Sequence, residues 1–186
     1  RGLTIVGNAA AGTTETIGTF NLASGLSVVT LSPSSTQSLV LNVGSMSALT
    51  SGASLILRGT NIGGTIGAGT ANFVAVNTVP TQIGGAGAVG STTMSIRPDI
   101  LIDSSLNGSG TSFATYIGAG GAANVAGGNG FRALAANEYV NFLSASGTTN
   151  NVSLAPLGAV GTSVISGVTN TINSLTLGAG TGVNEK

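Results

Sequence analysis

The phrase RPDILID, residues 97–103, holds more chemical capability than any other stretch of this chain. Asp99 and Asp103 are four residues apart, and Arg97 precedes them at the same parity. On an extended strand, alternate residues share a face, so all three side chains project together. Two carboxylates on one face can divide the acid and base roles of glycosidic bond cleavage, given a suitable separation. That reading makes the chain a polysaccharide-cleaving enzyme, with Glu138 as a third carboxylate to converge. The plainer reading pairs Arg97 with Asp99 at the surface and lets Asp103 cap a turn with Ser104 and Ser105. A calcium ion needs six to eight oxygen ligands. Asp99 and Asp103 are the only metal candidates, and the aspartate-rich nonapeptide of calcium-binding β-rolls is missing. The plainer reading is preferred; no catalytic residue, metal or cofactor is assigned.

The remaining inventory is short. There is no His and no Cys, which removes the usual zinc sites, the Ser-His triad and thiol chemistry. The one Lys is Lys186, and the other acids are Glu15 and Glu185. Arg58, in LRGTNIGG, is placed to satisfy turn carbonyls or pair with an acid. Phe113, Tyr116, Phe131 and Tyr139 fall in the later half, and stacked aromatics at a groove would suit a carbohydrate. GAGGAANVAGGNG has phosphate-loop-like glycines but no Lys and no strand-then-helix frame. Two Asn-X-Ser sequons occur, at Asn107 and Asn151.

Composition narrows the function classes. Only 5% of the 186 residues are charged, against roughly 25% in ordinary soluble domains. The formal net charge is zero, so nothing draws a phosphate backbone and nucleic acid is not an expected partner. Gly, Ser, Thr and Asn supply half of the chain, and hydroxyls and amides must do the work of charge at the surface. Disorder is rejected, because disordered chains are rich in charge and poor in β-branched residues. No apolar run approaches the 18 or so residues of a membrane helix. The chain begins at Arg1 without a signal-like segment, as a mature product or fragment would.

Periodicity is almost wholly of the strand type. TIGTFNLA, LSVVTLS, SLVLNVGSM, ASLILRG, NFVAVN, TTMSIRPDILID, NVSLA and TINSLTLG read as strands, separated by Gly-, Asn- and Ser-rich turns. FRALAANEYVNF, residues 131–142, is the one stretch with helix formers, enough for a turn or two or an ordered loop. Near-absence of charge from the strands, small residues at the corners and self-similarity favour an all-β parallel β-solenoid. The alternative is a β-sandwich subunit that assembles by strand exchange. Rungs of roughly 20–30 residues would give about seven to nine turns. TIGTFNLASG at 16–25 is echoed by TINSLTLGAG at 171–180 without a gap. Residues 1–186 therefore read as a single module, about one repeat of a longer array.

LTIVGNAAAGTTETIGTFNLASGLSVVTLSP, followed by GASLILRGTNIG, SIRPDILIDSS and GFRALAANEYVNF, resembles autotransporter-associated β-strand repeat proteins. These are large secreted or surface proteins of bacteria, and the resemblance covers nearly the whole chain. It implies an extracellular, right-handed parallel β-helix in a stalk, coat or adhesive role, and transfers no catalytic motif. The expectation is a non-enzymatic structural module at the cell surface. It would form or extend a filament by end-to-end strand stacking, with itself as principal partner and polysaccharide or a cell surface as further ones. An adhesin or carbohydrate-binding module is the rival reading beside the enzyme.

Overall fold

The computed structural model describes residues 1–49, 52–118, 130–141, 143, 147–154 and 171–177. The chain is all-β, a β-solenoid of about five turns. It folds as two compact units, one from residues 1–82 and 96–133, the other from 83–95 and 134–186.

In the first unit, alternate strands belong to alternate sheets. β1 (Gly2–Val6), β3 (Gly25–Ser32), β5 (Ala53–Gly59) and β7 (Arg97–Asp103) stack in parallel. β2 (Thr13–Phe20), β4 (Leu39–Met46) and β6 (Ala71–Ala75) form the second parallel stack. Each β1–β2, β3–β4 or β5–β6 pair is one turn of the coil. The first turn is 26 residues long, from Gly2 to its partner Val28. The next runs 28, from Gly25 to Ala53, and the step from Leu55 to Ile100 takes 45. That lengthening is why the coil has fewer turns than a uniform short repeat would give.

In-register parallel pairing turns the apolar alternation of each strand into columns. Leu3, Val29, Leu57 and Ile102 stack in one column, and Leu41 and Phe73 in another. Val29, Leu31, Leu39, Leu41, Val43, Leu55, Leu57, Phe73, Ile100 and Ile102 are buried in one continuous core. Full burial of each such side chain contributes about 1.5–3 kcal/mol. The column geometry requires a flat corner at Gly59, whose Cβ would crowd Ala71 Cβ at 2.7 Å.

The parallel order ends at β7. A register irregularity lies between Arg97 and Leu101, and β8 (Ser112–Tyr116) and β9 (Phe131–Ala133) continue the sheet antiparallel. The segment read as a possible helix is thus a strand, β9, and then a 3₁₀ turn at Ala136–Glu138 in the second unit. Phe131 belongs to β9 because its ring fills the core; helix propensity gives way to burial.

The second unit carries a parallel pair, β10 (Asn151–Leu154) and β11 (Ser174–Leu177), with Val140 bridged in parallel to Val152. Asn151 is its hub. The side-chain amide donates to the Met94 carbonyl at 2.9 Å, and its oxygen accepts from Asn173 and Ser174, each at 2.8 Å. A buried amide is stable only when satisfied in this way. The matching ends of the internal echo are β2 and β11, and both are outermost strands; residues 178–180 of the echo lie outside the described residues.

Candidate functional site

The RPDILID strand resolves into two separate constellations. Asp99 receives Arg97 through both oxygens, from Nε at 2.7 Å and Nη2 at 2.9 Å. The Arg97 side chain is 0% exposed and that of Asp99 only 8%, so this pair is buried rather than the surface pair expected from the sequence. Nη2 also donates to the Ser47 carbonyl at 3.0 Å, while Nη1 is buried without a partner. Bidentate geometry is what allows two charges to leave water together.

Asp103 works elsewhere. One oxygen accepts from the Ser105 backbone N–H at 2.9 Å and its hydroxyl at 2.8 Å, and the other accepts from the Gly110 N–H at 3.0 Å. Burial pushes its carboxyl up, but these hydrogen bonds and the Arg58 guanidinium outweigh it and hold it below the ordinary 3.8. Arg58 is the register partner of Asp103, and its Nη1 donates to the Leu106 carbonyl at 3.4 Å. Arg58 thus does what the sequence suggested, serving a turn carbonyl beside an acid. Four residues of strand separate Asp99 and Asp103 by about 13 Å. The two carboxylates are held by separate donors, Asp99 by Arg97 and Asp103 by Ser105 and Gly110. Glu138, in the second unit, is buried and brackets a turn, accepting from Gly90 N–H at 2.9 Å and Ala135 N–H at 2.7 Å. Among the described residues, no group of three or more metal-ligating side chains comes together.

The aromatic groove proposed from sequence needs correction. Phe131 is 0% exposed and Tyr116 6%. They pack edge-on at 4.9 Å between centroids, and Phe131 continues to Phe73 at 5.9 Å and Phe73 to Phe20 at 5.3 Å. These rings plug the core. Phe113 sits half-buried on β8, while half-buried Tyr139 belongs to the second unit. The sequence signal misled because ring count says nothing about which face of a strand a ring occupies.

The feature that sequence reasoning found only in outline is the free rung. β1 and β2 are the outermost strands of their stacks. On β2, residues 14–19 are all exposed. Leu3, Val6 and Ile17 are exposed apolar side chains on the same rung. Val28 donates to the Arg1 carbonyl and Gly7 donates to Ser32, so odd-numbered residues of β1 aim their backbone groups at β3. Gly2, Thr4 and Val6 consequently leave theirs unpaired along the edge. Thr13 donates to Ser38 on the other stack, which leaves Thr14 and Thr16 directed outward in the same sense. Glu15 shares the column of Leu41 and Phe73, a carboxylate where the lower rungs carry apolar groups.

No family model matches the chain, and comparison with curated proteins and with solved structures finds no match either. No helix among the described residues is long and apolar enough to cross a membrane.

Proposed function

We propose that this chain is a structural module of an extracellular surface filament, stalk or coat, extended by end-to-end stacking of β-strands. The observation that carries the reading is the β1–β2 rung: two parallel edges, side by side, with unpaired backbone groups and exposed apolar side chains. An open parallel edge is a template for another strand. Each added rung pairs the backbone below it and covers its columns, so stability accrues with length, as in repeat arrays generally. The resemblance to autotransporter-associated β-strand repeat proteins supports the same reading, as does the scarcity of charge. The clearest carboxylate cluster serves the fold locally, and nothing in its geometry favours cleavage of a polysaccharide. Glu15 sets a condition on the stacked rung. Burying its carboxylate in the column costs free energy unless a cation or a proton meets it.

Negative-stain electron microscopy of the purified protein tests this. The wild type should form regular fibres. Thr4→Pro with Thr16→Pro removes two outward N–H groups without touching an internal ladder bond, and should leave dispersed particles with an unchanged β-type circular dichroism spectrum. Dispersed wild-type particles at high concentration, or fibres undiminished by the two prolines, would overturn the proposal.

A further inference from the structure

The chain contains two Asn-Gly dipeptides, Asn107–Gly108 and Asn129–Gly130. An Asn followed by Gly is open to attack on its side-chain carbonyl carbon by the next backbone nitrogen, because no Cβ obstructs the approach. Whether that attack occurs in a folded protein depends on whether the nitrogen is free and the loop can bend.

At Asn107 both reactants are free. Asn107 is exposed, in the turn between β7 and β8. Among the described residues, neither its side chain nor the Gly108 N–H takes part in a hydrogen bond. Residue 108 must also be glycine, since a Cβ there would overlap the Asp103 carboxylate. Asp103 is fixed in that position by Ser105 and Gly110. The contacts that organise this loop therefore impose the glycine of the reactive dipeptide.

At the other dipeptide the nucleophile is occupied. The Gly130 N–H donates to the Gly118 carbonyl at 2.6 Å. Gly130 is buried, and a Cβ on it would overlap the Phe73 carbonyl. Its N–H must leave the Gly118 carbonyl before the nitrogen can act as a nucleophile.

We propose that Asn107 is a self-modification site, deamidating in the folded protein through a cyclic imide, because the Gly108 nitrogen is free where the Gly130 nitrogen is engaged. The Gly108 nitrogen loses its proton to solvent base and forms a bond to Asn107 Cγ. The Cγ–Nδ2 bond breaks, and ammonia leaves with the proton. Water then opens the imide at either carbonyl, giving aspartate or isoaspartate at position 107, with no redox change. Each event adds one negative charge to a chain whose formal net charge is zero. It places that charge beside Asp103, in the loop whose Leu106 carbonyl holds Arg58. A long-lived assembly would acquire charge with age at this one loop. The inference stands independently of the filament reading.

The test is tandem mass spectrometry of peptides after incubation of the folded protein at mildly alkaline pH, alongside the same chain in denaturant. In denaturant both Asn-Gly sites should show the mass gain of an amide-to-acid exchange at comparable rates. In the folded protein, Asn107 should continue to react and Asn129 should lag by about tenfold or more, as local opening costing about 1.4 kcal/mol or more requires. Asn107→Gln should abolish the gain at that position in the folded sample. Retention of the Asn107 amide while the denatured chain turns over, or equal rates at the two sites in the folded protein, would overturn the proposal.

Discussion

The first unit has two ends, and they are built on opposite principles. At the β1–β2 rung the backbone is left open on both stacks, and the side chains above it face solvent. At the β6–β9 end, outward groups of β6 are met at Ala71 and Ala75. β6 is also an outermost strand, yet all five of its residues are buried. The Tyr116 hydroxyl donates to the Ala75 carbonyl at 2.6 Å, and Gly63 N–H donates to the Ala71 carbonyl at 2.9 Å. Beyond the irregularity in β7, the Gln82 side chain substitutes for a strand. Its Oε1 accepts from Tyr116 N–H at 2.8 Å, and its Nε2 donates to the Tyr116 carbonyl at 3.3 Å. Natural sheets protect edges with such covers. One end is covered by the chain's own side chains and loops; the other presents open, exposed strand edges.

The largest expected effect separates the two ends directly. Phe131→Ala removes a ring from the aromatic plug and should cost about 3–5 kcal/mol in denaturant unfolding. Leu3→Ala, in the apolar column but on the open rung, should cost under about 1 kcal/mol, since its side chain is already 41% exposed. Equal costs at the two positions would mean that the open rung is covered in the isolated chain and that the contrast is false.

Much of this was legible in the sequence, and the part that was not has a physical reason. Period-two alternation located β2 through β7, β10 and β11, because stacked copies of a strand need the same inward residues at every turn. β1 went unread; its alternating residues, Leu3 and Ile5, are too few to stand out in a short apolar run. β8 and β9 were missed because they are antiparallel closers outside the repeat. Tyr116 and Phe131 looked like ligand-stacking groups for the same reason, although the fold spends them on closing its core. Arg97 was read as exposed because charge usually is; its burial rests on the bidentate Asp99 pair together with the Ser47 carbonyl, which is distant in sequence. Asp103 was read correctly, since an Asp followed by Ser-Ser is a local turn signal that needs no tertiary partner.

Next in size is the buried ion pair of the closed end. Asp99→Ala leaves the Arg97 guanidinium buried and uncompensated and should cost about 3–5 kcal/mol. Arg97→Met combined with Asp99→Leu should cost clearly less than Asp99→Ala alone, because neither charge is then stranded. Thermal unfolding of the three proteins gives the order. A double variant weaker than the single one would show that the Arg97 bond to Ser47, and not neutralisation, holds β7 in place. Tyr116→Phe should cost about 1–3 kcal/mol by leaving the Ala75 carbonyl without its donor in the interior. Unfolding of that variant in denaturant measures directly whether the hydroxyl cap on β6 matters.

The smallest effect concerns the Asp103 loop and appears as a pH dependence. The folded carboxyl lies below its ordinary 3.8, held there by Ser105, Gly110 and Arg58 against burial. A depressed folded value means the unfolded chain binds the proton first. The contribution is therefore fully present above the unfolded value and falls away as the pH drops from near 3.8 through the folded value. Asp103→Asn keeps an acceptor for Ser105 but cannot ionise, so its stability should be lower than wild type near neutrality and the two should converge in acid. Guanidinium unfolding between neutral pH and the acid limb reads both curves. Parallel curves would mean that Asp103 binds its proton equally well in the folded and unfolded chain, so that its ionisation contributes nothing to the loop.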